Sequence, residues 1–327
     1  MTHMTMKELK NAVIKTAVDC AADLVGFAPA SRFDKQDPLF AIFPQAKTVI
    51  CLAFRILRGY LRGIEEGTTY YQYTTMSVEN LEEVMMPSGA LRVAQLLEEE
   101  GFKALPQKRQ RLIINENSDI TNPEMQPGDI VRGLDKEPQL DFIDSAVKCG
   151  IGEKSFHGQL LTDDFGPLQR IIFVITDAEL EPDPVSEPHL CDNCGECVKA
   201  CPGHCIDEKG MTDSWRCAVY YKGGAGVKNP FMRPDDFFSE KDRLELIAGE
   251  AEITPERARD LLRKIYFYPP IRHSYVTSIC GRACDTACYV HLEEQGKLKR
   301  SFKQKFRRRP VWKFDISDFD VIGDERK

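Results

Sequence analysis

Apolar residues at Leu9, Val13, Ala17, Ala21 and Leu24 recur every three or four positions, so the spacing predicts an amphipathic helix over residues 7–24. The pattern changes at residues 48–54, TVICLAF, which lack polar alternation and predict a strand buried on both faces. Helical spacing returns over residues 88–100 through Leu91, Ala94 and Leu97, with Gly101 as the stop. Two short apolar runs, LIIN at 112–115 and RIIFVITD at 170–177, read as buried strands, and LDFIDSAVKCG at 140–150 reads as a helix closed by glycine. Later in the chain Thr254 is placed to cap a helix that begins at Pro255 and continues through ERARDLLRKIY. Proline breaks up KNPFMRPDDFF, and the acidic, proline-rich DAELEPDPVSEP at 177–188 marks a linker or rim loop. The sum is a layered α/β core followed by a smaller unit, with no internal repeat.

A length of 327 residues fits about two domains, and 42% hydrophobic with 29% charged residues is an ordinary globular composition. Lys7, Lys10, Lys15 and Asp19 interrupt the first apolar runs before they reach the length of an export signal or membrane span. The expectation is a cytoplasmic protein without a membrane partner. Net charge is −7, yet residues 297–313 carry nine Lys or Arg and no acid. That stretch suits an acidic redox partner, or less favourably RNA, and equally suits a solvated helix.

Cysteine distribution changes the picture most. Nine of the 12 cysteines fall within 191–217 and 280–288. In a reducing compartment such clusters point to metal ligands rather than disulfides. CDNCGECVKACP sets Cys191, Cys194 and Cys197 at two-residue gaps, with Cys201 three residues further on and Pro202 behind it. This is an iron–sulfur pattern, in which the fourth cysteine of the run ligates the other cluster of a pair. Cys217 and the CGRACDTAC run, with Cys280, Cys284 and Cys288, complete eight sulfurs. By analogy with crossed two-cluster ferredoxins, Cys191, Cys194, Cys197 and Cys288 make one [4Fe–4S] set and Cys201, Cys217, Cys280 and Cys284 the other. Zinc is the alternative, although a triple cysteine run ending in Cys-Pro is not a usual zinc pattern. Cys205 is a nearby thiol able to exchange roles, whereas Cys20, Cys51 and Cys149 read as small buried hydrophobes.

The order GFAPASRF, FPQAKTVI, then CGIGEKSFHGQLLTDDFGPLQRIIFVITDAELEPDP directly before CDNCGECVKACP resembles the cobalamin-dependent epoxyqueuosine reductase and reductive dehalogenase superfamily over about residues 20–290. The resemblance implies a nitroreductase-like α/β cobalamin domain, here residues 1–185, then a two-cluster ferredoxin-like domain over 186–294 and a basic segment over 295–327. It also implies a corrinoid-tail loop at Gly150, Gly152, Lys154, Ser155 and Gly158, a second turn at Gly166 and Pro167, and His157 as a corrin donor or a polar cap. Glycines allow close backbone approach there, and Lys154 and Ser155 offer donors; turns without ligand share this composition.

Where epoxyqueuosine reductases carry an Asp beside Tyr-His, this chain reads GTTYYQYTTM, leaving Tyr71 or Tyr73 as a phenolic proton donor or as packing. The implied activity is reduction of a small organic substrate at low-valent cobalt, fed through two clusters by a soluble low-potential electron donor. A noncatalytic electron-transfer subunit, or a reductive activator of a corrinoid protein, shares the same cysteines.

Overall fold

The computed structural model of the protein describes residues 4–109, 138–265, 278–307 and 309–319. The strand expected at 112–115 lies outside them. Four antiparallel strands, β1 (Leu24–Pro29), β2 (Thr48–Arg55), β3 (Ala104–Gln107) and β6 (Gln169–Thr176), form the main sheet in the order β1-β2-β6-β3. A two-residue ladder joins β4 (Glu153–Lys154) to β5 (Leu160–Leu161). Helices α1 (Met6–Asp19), α2 (Pro38–Ile42), α3 (Arg58–Glu65), α4 (Tyr70–Gln72), α5 (Met86–Glu99) and α6 (Phe142–Lys148) surround the sheet. The later chain adds α7 (Glu196–Ala200), α8 (Ser214–Lys222), α9 (Arg243–Ala248), α10 (Pro255–Lys264) and α11 (Ala283–Glu294).

Continuous apolar sequence in β2 has a direct cause. Ile50, Leu52 and Phe54 pack with Ile172 and Val174 of β6 under α1 and α5, while Val49, Cys51 and Ala53 pack with Phe173 and Ile175 under α6. Both faces of the sheet are therefore dry, giving three layers, α on β on α. α1 starts at a capping box between Thr5 and Glu8, but it stops at Asp19, short of the expected residue 24. Ala21 turns left-handed at φ 69°, and Leu24 opens β1 opposite Ala53 of β2. Strand pairing overrides a helical period that continued by coincidence. In α5 the buried stripe is Ala90, Val93, Ala94 and Leu97, whereas Leu91, expected to face inward, is 53% exposed. Tyr73–Glu79 and Leu81–Met85 wind as π-helical turns between α4 and α5.

A second core forms from Trp215, Val219 and Tyr220 of α8, Leu246 and Ile247 of α9, and Ala258, Leu261 and Leu262 of α10. Thr254 caps α10, with Pro255 in its first turn as expected. Ile279, and Tyr289 and Val290 of α11, pack instead into the first core together with Phe306. The basic stretch after α11 is not the solvated helix considered above. It runs mostly without regular structure and is pinned by ion pairs: Lys297 to Asp192 at 3.1 Å, Lys299 to Asp163 at 2.6 Å, Arg300 to Asp164 at 3.4 Å and Arg307 to Glu65 at 2.7 Å. Among the described residues no helix is long and apolar enough to cross a membrane.

Phe173 is fully buried and meets Phe142 of α6 edge-on at 5.0 Å. Phe173→Ala is expected to remove about 3–5 kcal/mol of unfolding free energy in a denaturant titration. A pH effect follows from two lysines: burial pushes the ammoniums of Lys222 and Lys228 down to about 8 from an unfolded value of 10.5. The unfolded chain then binds more protons between those values, so this contribution to stability rises from pH 8 to 10.5 and is lost as pH falls through 8. Replacing both with methionine is expected to flatten that part of the stability–pH curve.

Candidate metal centres and the adjoining cavity

The cysteine-rich segment is fastened to the α/β core by Glu153 of β4. Its buried carboxylate accepts hydrogen bonds from three successive backbone N–H groups, those of His189 (2.6 Å), Leu190 (3.0 Å) and Cys191 (2.8 Å). Beyond this clamp the chain turns through left-handed Asn193 and Gly195 into α7, which carries Cys197 and packs beside α11. Burial, with Asp285 and then the neighbouring thiols of Cys191, Cys197 and Cys194, pushes the Cys288 thiol well above its ordinary range. Those four sulfurs are thus electrostatic neighbours. Cys194 is exposed, so this group has an edge at the surface.

The other candidate ligands gather elsewhere. Cys201, Cys205, Cys217, Cys280 and Cys284 all line one cavity of about 290 Å³. A thiol hydrogen bond with Cys205 is the main influence holding Cys201 down at about 6, and the same partnership lowers Cys217. Burial raises Cys280 to about 11. Two backbone amides donate to sulfur, Cys205 N to Cys201 and Phe156 N to Cys191, each at 3.3 Å. On α11, Cys284 and Cys288 stand one turn apart and serve different groups.

Between them on that helix Asp285 is 3% exposed. One oxygen lies 2.9 Å from His157 Nε2, and the other accepts a hydrogen bond from Arg282 Nε. Ser155 Oγ sits 3.1 Å from His157 Nδ1 and accepts Gln159 N at 2.9 Å. Burial opposes the charge on His157, but the hydrogen bond and negative charge of Asp285, assisted by Cys197, raise its pKa to about 9. Burial likewise opposes ionisation of Asp285, and Arg282 followed by His157 reverses this to about 2. Two mixed donor groups, His157–Cys284–Asp285 and Asp192–Cys194–His291, each gather their ligand atoms within 4.8 Å, and each shares a cysteine with a thiol group.

Of the residues offered for a corrinoid tail, only His157 lines the cavity. A Cβ on Gly150 would lie 2.4 Å from the Pro184 carbonyl, and one on Gly152 would lie 1.9 Å from the Leu161 carbonyl, so close internal packing accounts for both glycines. Lys154 pairs with Asp144 at 3.1 Å, Ser155 is committed to His157 and Gln159, Gly158 turns at φ 80°, and Gly166 sits against Leu292 and Leu298. Tyr71 is 54% exposed, whereas Tyr73 is fully buried with its hydroxyl 3.5 Å from Arg170 Nη2. Cys51 and Cys149 are buried; Cys20 is only partly so. Sequence reading missed Glu153, Asp285, Arg282, Arg170 and Tyr221. A visible signal existed for three of them: Arg282 and Asp285 stand inside CGRACDTAC, and Arg170 is the charge in an otherwise apolar strand.

Glu153→Ala leaves the N–H groups of His189, Leu190 and Cys191, the second of them buried, without their acceptor and is expected to lower stability by about 3 kcal/mol, read from a thermal or denaturant transition. Glu153→Gln, which keeps an acceptor oxygen, should recover part of the loss.

No family model matches the chain. Tetrachloroethene reductive dehalogenase of Desulfitobacterium hafniense is 39% identical over 70 residues, 20% of this chain and 13% of that protein. Epoxyqueuosine reductase of Synechococcus sp. is 32% identical over 88 residues, 27% of each chain, and that of Listeria monocytogenes is 30% identical over 106 residues, 32% of this chain and 25% of the relative. The matched stretches therefore span between about an eighth and a quarter of the relatives' own length. Among solved structures, epoxyqueuosine reductase from Bacillus subtilis aligns over 90% of this chain and 84% of its own with 16% identity and a TM-score of 0.46. The sequence matches establish the relationship: the chain is homologous to both the epoxyqueuosine reductases and the reductive dehalogenases.

Proposed function

We propose that the protein is an iron–sulfur reductase acting on a small organic molecule, with Cys191, Cys194, Cys197 and Cys288 holding one [4Fe–4S] cluster and Cys201, Cys217, Cys280 and Cys284 the other. The observation that carries this reading is the separation of the thiols into a group with an exposed member, Cys194, and a group lining a cavity. Eight cysteine sulfurs in two groups of four suit a pair of cubane clusters, which supply one-electron transfer when bound. Amide donors to Cys191 and Cys201 stabilise negative charge on those sulfurs. Cys205 is the reserve thiol at the buried site.

The chain's own residues divide the remaining work. Cys194 gives a soluble, low-potential donor its point of approach, and the cavity receives the molecule to be reduced. Tyr73, rather than exposed Tyr71, holds a phenolic proton next to Arg170, and Tyr221 lines the cavity itself. Burial raises the pKa of both Tyr73 and Tyr221, keeping their protons in place at neutral pH. Arg170 and Arg282 are positioned to favour negative charge on a phenol that has given its proton up.

A corrinoid is the further cofactor implied by the family resemblance, and one solved relative is described as carrying out B12-dependent dehalogenation. Of the residues expected to hold it, Lys154, Ser155 and Gly166 have partners within the chain, whereas Gly158 has open space beside it and His157 lines the cavity.

Anaerobically purified protein should contain about eight iron and eight sulfide per chain, and Cys194→Ser and Cys217→Ser should each lose about half of the iron. Iron and sulfide analysis with electron paramagnetic resonance of the reduced protein checks this; one zinc with little iron would overturn it. Cobalt analysis after exposure to a corrinoid decides whether a further carrier follows the buried cluster. Electron delivery to a partner protein without turnover of any small molecule would identify an electron-transfer subunit instead.

A further inference from the structure

Five thiols line the buried cavity, one more than a cubane cluster takes. The fifth is Cys205, whose thiol hydrogen-bonds to those of Cys201 and Cys217. Cys201 is its nearer partner along the chain, because both stand on one turn. There the backbone folds back on itself: His204 N donates to the Cys201 carbonyl at 3.1 Å, His204 is left-handed at φ 48°, and Cys205 N donates to Cys201 Sγ at 3.3 Å. Gly203 lets that turn press against α8, where a Cβ would lie 2.1 Å from the Tyr220 ring. Cys217 belongs to α8 itself, which the second core fixes through Trp215, Val219 and Tyr220. Burial also distinguishes the pair: Cys201 is partly exposed, whereas Cys205 is only 3% exposed. A reagent entering from solvent meets Cys201 first, and a neighbouring sulfur is what reaches Cys205.

An accessible thiol backed by a buried one is the arrangement of an attacking and a resolving cysteine. We propose that Cys201 and Cys205 close a disulfide in the cluster-free protein, and that this bond governs whether the second cluster can be built. The proposal rests on the reductase reading given above, in which Cys201 is a ligand of the buried cluster, and adds a redox control on its loading. The oxidant is a low-molecular-weight disulfide. Cys201 thiolate attacks one of its sulfurs, the S–S bond breaks and one small thiol leaves, giving a mixed disulfide on Cys201. Cys205 then attacks the Cys201 sulfur and expels the second small thiol. The cysteine pair loses two electrons, the small disulfide gains them, and the protons of both cysteines end on the released thiols. Excess dithiol runs the exchange backwards. A bond inside one turn takes Cys201 out of the ligand set without drawing on the helices, so Cys217 on α8 and Cys284 on α11 stay in place for loading after reduction.

The test uses the full-length chain, stripped of iron by anaerobic chelation and exposed to hydroxyethyl disulfide, with peptide mapping by mass spectrometry and iron reconstitution on the same samples. A Cys201–Cys205 disulfide is expected, and the oxidised protein should take up about half the iron of the dithiol-treated protein. Cys205→Ser should instead stop at the hydroxyethyl adduct on Cys201, and Cys205→Ala should do the same, which guards against an effect of the serine hydroxyl itself. A disulfide joining Cys201 to Cys197 or Cys205 to Cys217 overturns the proposal, as does the absence of any disulfide. So does a Cys205→Ser protein that has lost about half its iron when loaded under reducing conditions, since Cys205 would then be a ligand. Protein that takes up one zinc and little iron yet still forms the Cys201–Cys205 bond would keep the redox pair while rejecting the iron–sulfur reading, so the two failures are distinguishable.

Discussion

Asp285 is the charge around which both candidate centres are arranged. Moving a carboxylate out of water is expensive, and it is tolerated here because Arg282 and the imidazole of His157 take both oxygens. The consequence is geometric. Asp285 lies on α11 between Cys284 and Cys288, so the ion pair with Arg282 and the bond to His157 fix the rotation of the helix that supplies both thiol groups. His157 in turn is held by Ser155, in the loop that follows Glu153. Glu153 fastens the other side by gripping the backbone at residues 189–191. One stretch of seven residues, 153–159, thereby holds both the cysteine run and the cysteine helix. Breaking one partner of such a buried network leaves an uncompensated charge, which is why its members are coupled rather than additive.

The elements most legible in the sequence were those whose environment is uniform along their length. β2 and β6 have apolar residues on both faces because helices cover both, and that leaves an unbroken hydrophobic run. The cap of α10 was legible because Thr254 and Pro255 act within one turn. β1 was hidden by Ala21 and Leu24, which continue the period of α1 although the chain has already turned; only pairing with β2 decides their state. Leu91 illustrates the converse error, an apolar residue at a plausible spacing that faces water. The cysteine spacing announced metal chemistry, but Glu153, Asp285 and Tyr221 depend on contacts between segments far apart in sequence, which no local period encodes. The glycines at 150 and 152 were visible as a constraint, and the constraint turns out to be the nearness of Pro184 and Leu161.

Charge composition was similarly incomplete. Nine basic residues without an acid between 297 and 313 read as a free patch, yet four of them meet Asp192, Asp163, Asp164 and Glu65 on other parts of the molecule. Exposed ion pairs contribute little individually. Their collective effect is to lay an irregular segment along a defined path. Lys297 makes the most consequential contact, since its ammonium also donates to the Leu190 carbonyl at 2.8 Å, immediately beside the residues that Glu153 grips. The basic segment is thus continuous with the support of the first thiol group.

The two thiol groups sit in different electrical surroundings, and this gives a direction to the proposed electron path. Around the exposed group, water and the Asp192–His291–Lys297 contacts screen added charge. The buried group has lost that screening, so an electron placed there must be balanced by fixed protein charge. Arg282, which lines the cavity and pairs with Asp285, is placed to supply part of it. Charge arriving at the buried thiols therefore depends on the same Arg282–Asp285 pair that orients the cysteine helix.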